Sequence, residues 1–394
     1  MLNRRHFVTA MAAAGASPLA LAQKESTEGL DMQAARAKMM SARGQRVAYT
    51  KKFNLEGLAA YKPARVVKGT VRIWGSNYVV DGNVGRYWEE LFRKFHPEAR
   101  IAWHMKTTSA AVPSLVFGVS DMGIGRKITF QEQQLFERYF DRPPLEIDIA
   151  TGSYNVPGWN PGFGVVVHAS NPLTEISMEQ LDGVFGSERA GGWEGTSWRP
   201  NWARGPEQNI RTWGQLGLGG EWADKPINVY GLTPRYHQAT EISDRVLRGS
   251  DKWNERLKVY ANFVSAKGSL ERGMNEDLAA DRYGIGIVAA PTTNLTGGAA
   301  QATQKILPLA PKAGAKAVPY TLETVQDRSY PFYDSIYAYF DREPGKSMNA
   351  GTEELVRLIL SREGQDAVMR DGKYLPLTTE VGNEQMRKLV EMTR

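Results

Sequence analysis

The sequence predicts an α/β fold on three observations. β-branched and apolar runs alternate along the chain with segments of helical periodicity. Two helix starts carry capping boxes, Thr129 with Glu132 and Ser177 with Gln180. At 394 residues the chain suits about two domains, and no internal repeat replaces that reading with a solenoid.

The body begins at Gly69, and TVRIW (70–74) is its first strand, broken by Gly75, Ser76 and Asn77. Val84, Trp88, Leu91, Phe92 and Phe95 recur at helical spacing and stop before Pro97. RIAWHMK (100–106) is the next strand, and TTSAAVPSLVF enters a short helix that Ser109 is placed to cap. In GVSDMGIGRK (118–127) an apolar run ends in Asp121, turns through Gly123 and Gly125, and leads past Arg126 and Lys127, accessory charges that moderate the negative potential of Asp121, to the capped helix TFQEQQLFERYF. LEIDIA (145–150) and FGVVVHA (163–169) are strands, and SMEQLDGVF is a helix.

Residues 186–222 are rich in Gly and Trp and too long for an ordinary loop, which reads as a functional flap or, in preference, as a family-specific insertion. PINVYG then forms a strand, ATEISDRVL a helix and YGIGIVAA (283–290) a buried strand. YPFYDSIYAYF alternates as a strand does, and TEELVRLILSREGQDAVMRDGKYLPL gives two helices and a terminal turn.

The N-terminus, MLNRRHFVTAMAAAGASPLALA, pairs Arg4 and Arg5 with a short apolar stretch and a small-x-small site at Ala20-Leu21-Ala22. It reads as a twin-arginine-like export signal over residues 1–22, hence a periplasmic protein. Its removal lowers the formal net charge from +6 by two, to +4. That mildly basic balance favours anions, while the lack of any Lys/Arg run or basic-aromatic repeat argues against nucleic acid. Residues 23–68 read as a leader that docks on the body. With no Cys there is no thiol chemistry, and five scattered His leave little for a metal site, so no cofactor is expected.

In an open α/β sheet, ligands bind beyond the carboxyl ends of strands. Three such ends carry related chemistry here: Ser76 and Asn77; Thr107, Thr108 and Ser109; and Asp121 with its glycines. Hydroxyls and free N–H groups at helix starts suit an anion. Each is separately an ordinary cap, and the signal is their recurrence in consecutive units. There is no GxSxG elbow, HExxH or Walker loop, so an enzyme is not expected.

In segment order, residues 69–380 resemble the phosphate-binding (PstS-like) subfamily of periplasmic solute-binding proteins of ABC transporters. The carriers are IWGSN, TTSAA followed by LVFGVSDMGIGR, HASNPLTEISMEQLDGVFG, YGIGIVAA, YPFYDSIYAYF and LILSREGQDAVMRDGKYLPL. The resemblance implies a type II periplasmic binding protein fold of two lobes, each a mixed sheet flanked by helices. Lobe one would comprise 69–152 and 312–394, and lobe two 153–311, with crossings near 150–153 and 308–318. A small oxyanion, phosphate in this family, would sit between the lobes and be passed to ABC transporter permease subunits. Ser76, Asn77, Thr108 and Ser109 fall on the family's first two phosphate-contacting turns, and Asp121 on its acidic acceptor. In lobe two, Tyr236, His237 and Gln238 stand in place of the family's Ser-Gly-Thr turn, and Arg235 in place of its upstream Arg. Two other classes stay open: a secreted phosphatase pairing Asp121 with His237, and a sensor or interaction protein without ligand.

Overall fold

The computed structural model describes residues 49–391, apart from 235, 262–269, 292–302 and 344. The proposed signal, the leader up to residue 48 and Arg235 therefore lie outside the described residues. The strands in chain order are β1 (Gly69–Gly75), β2 (Ala99–His104), β3 (Met122–Gly125), β4 (Leu145–Thr151), β5 (Phe163–His168), β6 (Ile176–Ser177) and β7 (Gly192–Glu194). They continue with β8 (Ser197–Arg199), β9 (Asn228–Leu232), β10 (Lys258–Tyr260), β11 (Gly284–Ala289), β12 (Gln304–Leu307), β13 (Leu309–Ala310) and β14 (Ser335–Phe340).

Two five-stranded mixed sheets result, in the orders β2-β1-β3-β14-β4 and β10-β9-β11-β5-β12. β1 runs parallel to β2 and β3, while β14 is antiparallel to β3 and β4. Each sheet is the centre of one lobe. Helix Val84–Phe95 lays Trp88 and Phe92 on the first sheet, and both are fully buried with Ile73, Ile147 and Leu355. Burying each such side chain contributes about 1.5–3 kcal/mol. The second core joins Val165, Val167, Phe185, Trp213 and Ile285.

The alternation of YPFYDSIYAYF has a two-sided meaning. β14 is buried along its whole length: Ile336, Ala338 and Phe340 face one core, and Tyr337 and Tyr339 face a second layer with Leu115 and Phe136.

The chain just ahead of β1 packs on the first lobe through polar contacts. Tyr61 donates its hydroxyl to Glu354 at 2.7 Å and lies 2.7 Å from His96 Nε2, while the Ala64 and Arg65 amides donate to the same carboxylate.

Away from β3, the structure differs from the sequence reading in three places. Tyr320, Val325, Tyr330 and Phe332 pack in the second core, so the chain returns to lobe one only at β14, later than the expected 308–318. A third C-terminal helix, Thr379–Glu391, follows the two expected ones. The helical turn after β2 is capped by Thr107, whose hydroxyl accepts the Ser109 amide, and Ser109 itself is exposed. No helix among the described residues is long and apolar enough to cross a membrane.

Candidate functional site

Because β1, β2 and β3 are parallel, their carboxyl ends share one edge of the first sheet. β14 runs the other way and delivers its first residues to that same edge. At β1 the chain turns on Gly75, whose φ of +139° and whose distance to the Ile124 carbonyl leave no room for a side chain. A Cβ there would lie 1.9 Å from that oxygen. The Ser76 amide donates to the same carbonyl at 2.8 Å, and Ser76 is buried. Asn77 turns its amide onto Asp81.

At β2, Thr108 accepts the Arg126 amide on its hydroxyl oxygen at 2.9 Å and keeps its own proton to donate. This places the ends of β2 and β3 side by side.

Asp121 does not belong to this edge. It precedes β3, and the strand runs on through Met122–Gly125, so Asp121 lies roughly 16 Å from Arg126 at about 3.3 Å per residue. Its carboxylate takes the Arg72 backbone amide at 2.8 Å and the Arg72 guanidinium at 2.7 and 3.1 Å. The sequence reading ended the strand where it begins. Gly123 and Gly125 serve packing inside the strand: a Cβ on Gly123 would meet the Ala111 carbonyl at 2.2 Å, and one on Gly125 the Thr108 hydroxyl at 2.7 Å. The pairing of Asp121 with His237 is accordingly not formed.

Arg126 takes the place at the strand end. Its guanidinium reaches both oxygens of Glu132, at 2.9 and 3.3 Å, and the Lys127 carbonyl at 2.8 Å. Glu132 is also the capping-box acid of helix Phe130–Phe140, so one carboxylate holds both the helix start and the cation. The Arg126 carbonyl accepts from Tyr339 at 2.8 Å. Among the described residues, Arg126 Nε is buried and has no hydrogen-bond partner. Ser335 Oγ, at the start of β14, is likewise buried and without one.

The second lobe faces this edge with helix His237–Val246. Tyr236 is its N-cap residue, extended and without a side-chain cap bond, and its ring lies 4.5 Å from that of His237. Gln238 and Glu241 are buried, and Gln238 Nε2 and Glu241 Oε2 have no partner among the described residues. Arg245 reaches the segment that leads into β14, donating to the Tyr333 carbonyl and pairing with Asp334 at 3.5 Å.

Electrostatics tie these groups together. Burial and then the Arg126 charge push the His237 imidazole down to about 4, so it is neutral at physiological pH. Burial pushes the Glu241 and Asp334 carboxyls up. Asp334 adds to the effect at Glu241 and Asp148 adds to it at Asp334, while Arg245 and Arg126 oppose it at both. Among the described residues no cluster of His, Asp and Glu has the make-up of a metal site.

Of the expected site residues, Ser76 and Thr108 share the sheet edge, and Gln238 lies on the opposing helix with His237 and its cap residue Tyr236. Asn77 and Ser109 flank the turns, and Asp121 is at the far end. Sequence reasoning did not single out Asp334, Ser335, Glu241 and Arg245 as candidate site residues, and treated Arg126 as an accessory charge. Arg126 had a signal, a cation between a strand and a capping box. Asp334 and Ser335 had none, because only the antiparallel direction of β14 brings them to this edge.

A family model described as a PBP superfamily domain matches residues 67–363. The chain is 26% identical over 334 residues to a phosphate-binding protein PstS of Pseudomonas aeruginosa, covering 84% of this chain and 90% of that one. PstS from Borrelia burgdorferi has a similar structure, with a TM-score of 0.49 at 16% identity, covering 79% of this chain and 100% of that one. A possible phosphate-binding protein from Planctomyces limnophilus gives 0.46 at 16%, covering 83% and 100%.

Proposed function

The chain belongs to the PBP superfamily domain family, and from that premise we propose that it captures phosphate or a related oxyanion between its lobes. The observation that carries the reading is a set of buried, unpartnered donors drawn from both lobes: Arg126 Nε and Ser335 Oγ from the first, Gln238 Nε2 from the second. Buried polar groups are normally hydrogen-bonded, and donors that accompany a guanidinium suit an oxyanion. Ser76 and Thr108 add hydroxyls on the same edge. The similarity to a phosphate-binding protein supports phosphate as the first anion to test. Delivery to ABC transporter permease subunits, and export to the periplasm on the signal-like residues 1–22, complete the proposal.

Binding of this kind needs no bond to be made or broken. The lobes close because the ligand has higher affinity for the closed arrangement. Calorimetric titration of the purified protein with phosphate, sulfate and arsenate, together with mass spectrometry of released small molecules, tests the reading. Saturable binding of one stoichiometric anion is the expected result. No heat and no release with any of the three would overturn it and favour a sensor or interaction role.

A further inference from the structure

Residues 186–222 form the Gly/Trp-rich segment, and the proposed ligand contacts use none of them. They are rooted in lobe two. The Trp193 amide donates to the Arg248 carbonyl at 2.7 Å, just past helix His237–Val246, and the Ser187 amide donates to the Lys252 carbonyl at 2.9 Å. From there β7 and β8 pair as a hairpin, with Trp193 opposite Trp198 and their rings 5.1 Å apart.

The tip of this hairpin crosses to lobe one. Thr196 donates its hydroxyl to Glu137 at 2.6 Å. The Trp193 ring packs on Phe130 with centroids 5.1 Å apart. Gly195, with φ +57°, brings the turn against Gln133, which itself donates to Glu137 at 2.7 Å. Phe130, Gln133 and Glu137 lie on one helix, the one that starts at the capping box holding Arg126.

We propose that the hairpin Gly192–Arg199 is an interlobe clasp, with Thr196 and Trp193 as positioning residues that raise ligand affinity without touching the ligand. The physical reason is direct. These contacts join side chains of the two lobes, so they are made only when the lobes are together, and they add to the closed state alone. Any stabilisation confined to the closed state raises apparent affinity by increasing the binding-competent fraction, and it slows release because opening must break the clasp. The clasp also bears on the helix that positions Arg126, so closure and the placement of the cation are mechanically connected. The affinity part of this inference rests on the proposed anion-binding function, whereas the closure part does not.

The test uses the full chain and two readouts. The protein has no cysteine, so Val119→Cys on lobe one and Val259→Cys on lobe two, both exposed positions, carry spin labels specifically. Pulsed EPR distances are measured without ligand and with phosphate, in the parent, Thr196→Val, Trp193→Leu and Thr196→Ser. The parent should show a short-distance population without ligand. Thr196→Val and Trp193→Leu should lose it, and Thr196→Ser, which keeps the hydroxyl, should restore it. Phosphate dissociation should quicken and affinity fall by roughly 5- to 30-fold in the first two variants, the range that one or two kcal/mol spans. Ligand-free distances that are the same in parent and variants would overturn the clasp, whatever the affinity does. If the parent binds no oxyanion, the function proposed above fails and the distances still decide the clasp.

Discussion

The two sheets repeat one topology and put it to different uses. In each, three parallel strands are joined to two others through an antiparallel neighbour: β2-β1-β3 with β14 and β4, and β10-β9-β11 with β5 and β12. In each, the antiparallel strand next to the parallel set is the first one after a crossing, β5 arriving from lobe one and β14 from lobe two. The first sheet ends in a rigid edge, with a glycine turn at Gly75 and a cation braced by a capping box. The second offers a helix whose inward residues are an amide, a carboxyl and a half-buried guanidinium. The same architecture thus supplies a fixed positive group on one side and adjustable polar groups on the other. Topology determines where a site forms, while local caps and turns determine its charge.

The comparison breaks most severely at Arg126. Its side chain and that of Glu132 are both nearly buried, at 9% and 13% exposure. Arg126→Ala leaves the carboxylate without its cation, and removing one partner of a buried pair costs about 3–5 kcal/mol. Urea unfolding should show a loss of that size, while Arg126→Lys keeps most of the stability and still loses the planar fork. Full stability of Arg126→Ala would mean that the first edge is not built around this pair.

Glu241 tests the adjustable side. An unfolded glutamate ionises near its ordinary value, whereas burial holds the folded Glu241 carboxyl protonated to higher pH, with Asp334 and Asp244 adding to the effect and Arg245 and Arg126 opposing it. The folded state therefore binds more protons in the window above the ordinary glutamate range, and stability falls as pH rises through it. Glu241→Gln should remove that slope. It should also be the more stable protein at pH 8 by on the order of 1 kcal/mol, since a tenfold change in proton affinity on folding is worth about 1.4 kcal/mol. Equal pH profiles of thermal unfolding for the two proteins would show that Glu241 ionises normally.

Asp121 sharpens the comparison by having little effect. It lies at the opposite end of β3, on a partly exposed ion pair with Arg72, at 16% and 44% exposure. Asp121→Asn should cost less than about 1 kcal/mol, the usual ceiling for such pairs. Phosphate and sulfate titrations should be the same before and after. A changed preference between the two anions would return Asp121 to the ligand site.

Much of the fold was legible in the chain. Apolar runs marked β1, β2, β4, β5, β9 and β11 within a residue or two, whereas β3 was misplaced and β14 was read five residues too long. The boxes at Thr129 and Ser177 formed as read, because each depends on neighbours three residues apart. The candidate site was legible where a strand runs directly into a turn, as at Ser76 and Thr108. It failed at GVSDMGIGRK because Gly and Asp mark turns in general, and here the glycines instead admit the segment before β3 against the strand.

By itself, then, the sequence determined the alternating elements, the capped helices and the cation ahead of the Thr129 cap, since all of these rest on interactions between residues close in the chain. Only the tertiary structure decided that Asp121 belongs to Arg72, that β14 brings Ser335 to the edge of Arg126, that His237 feels the Arg126 charge, and that the β7–β8 hairpin reaches Glu137. Those partners are separated by 49 residues for Arg72 and Asp121 and by 59 for Glu137 and Thr196, and strand direction and lobe crossing alone bring them together.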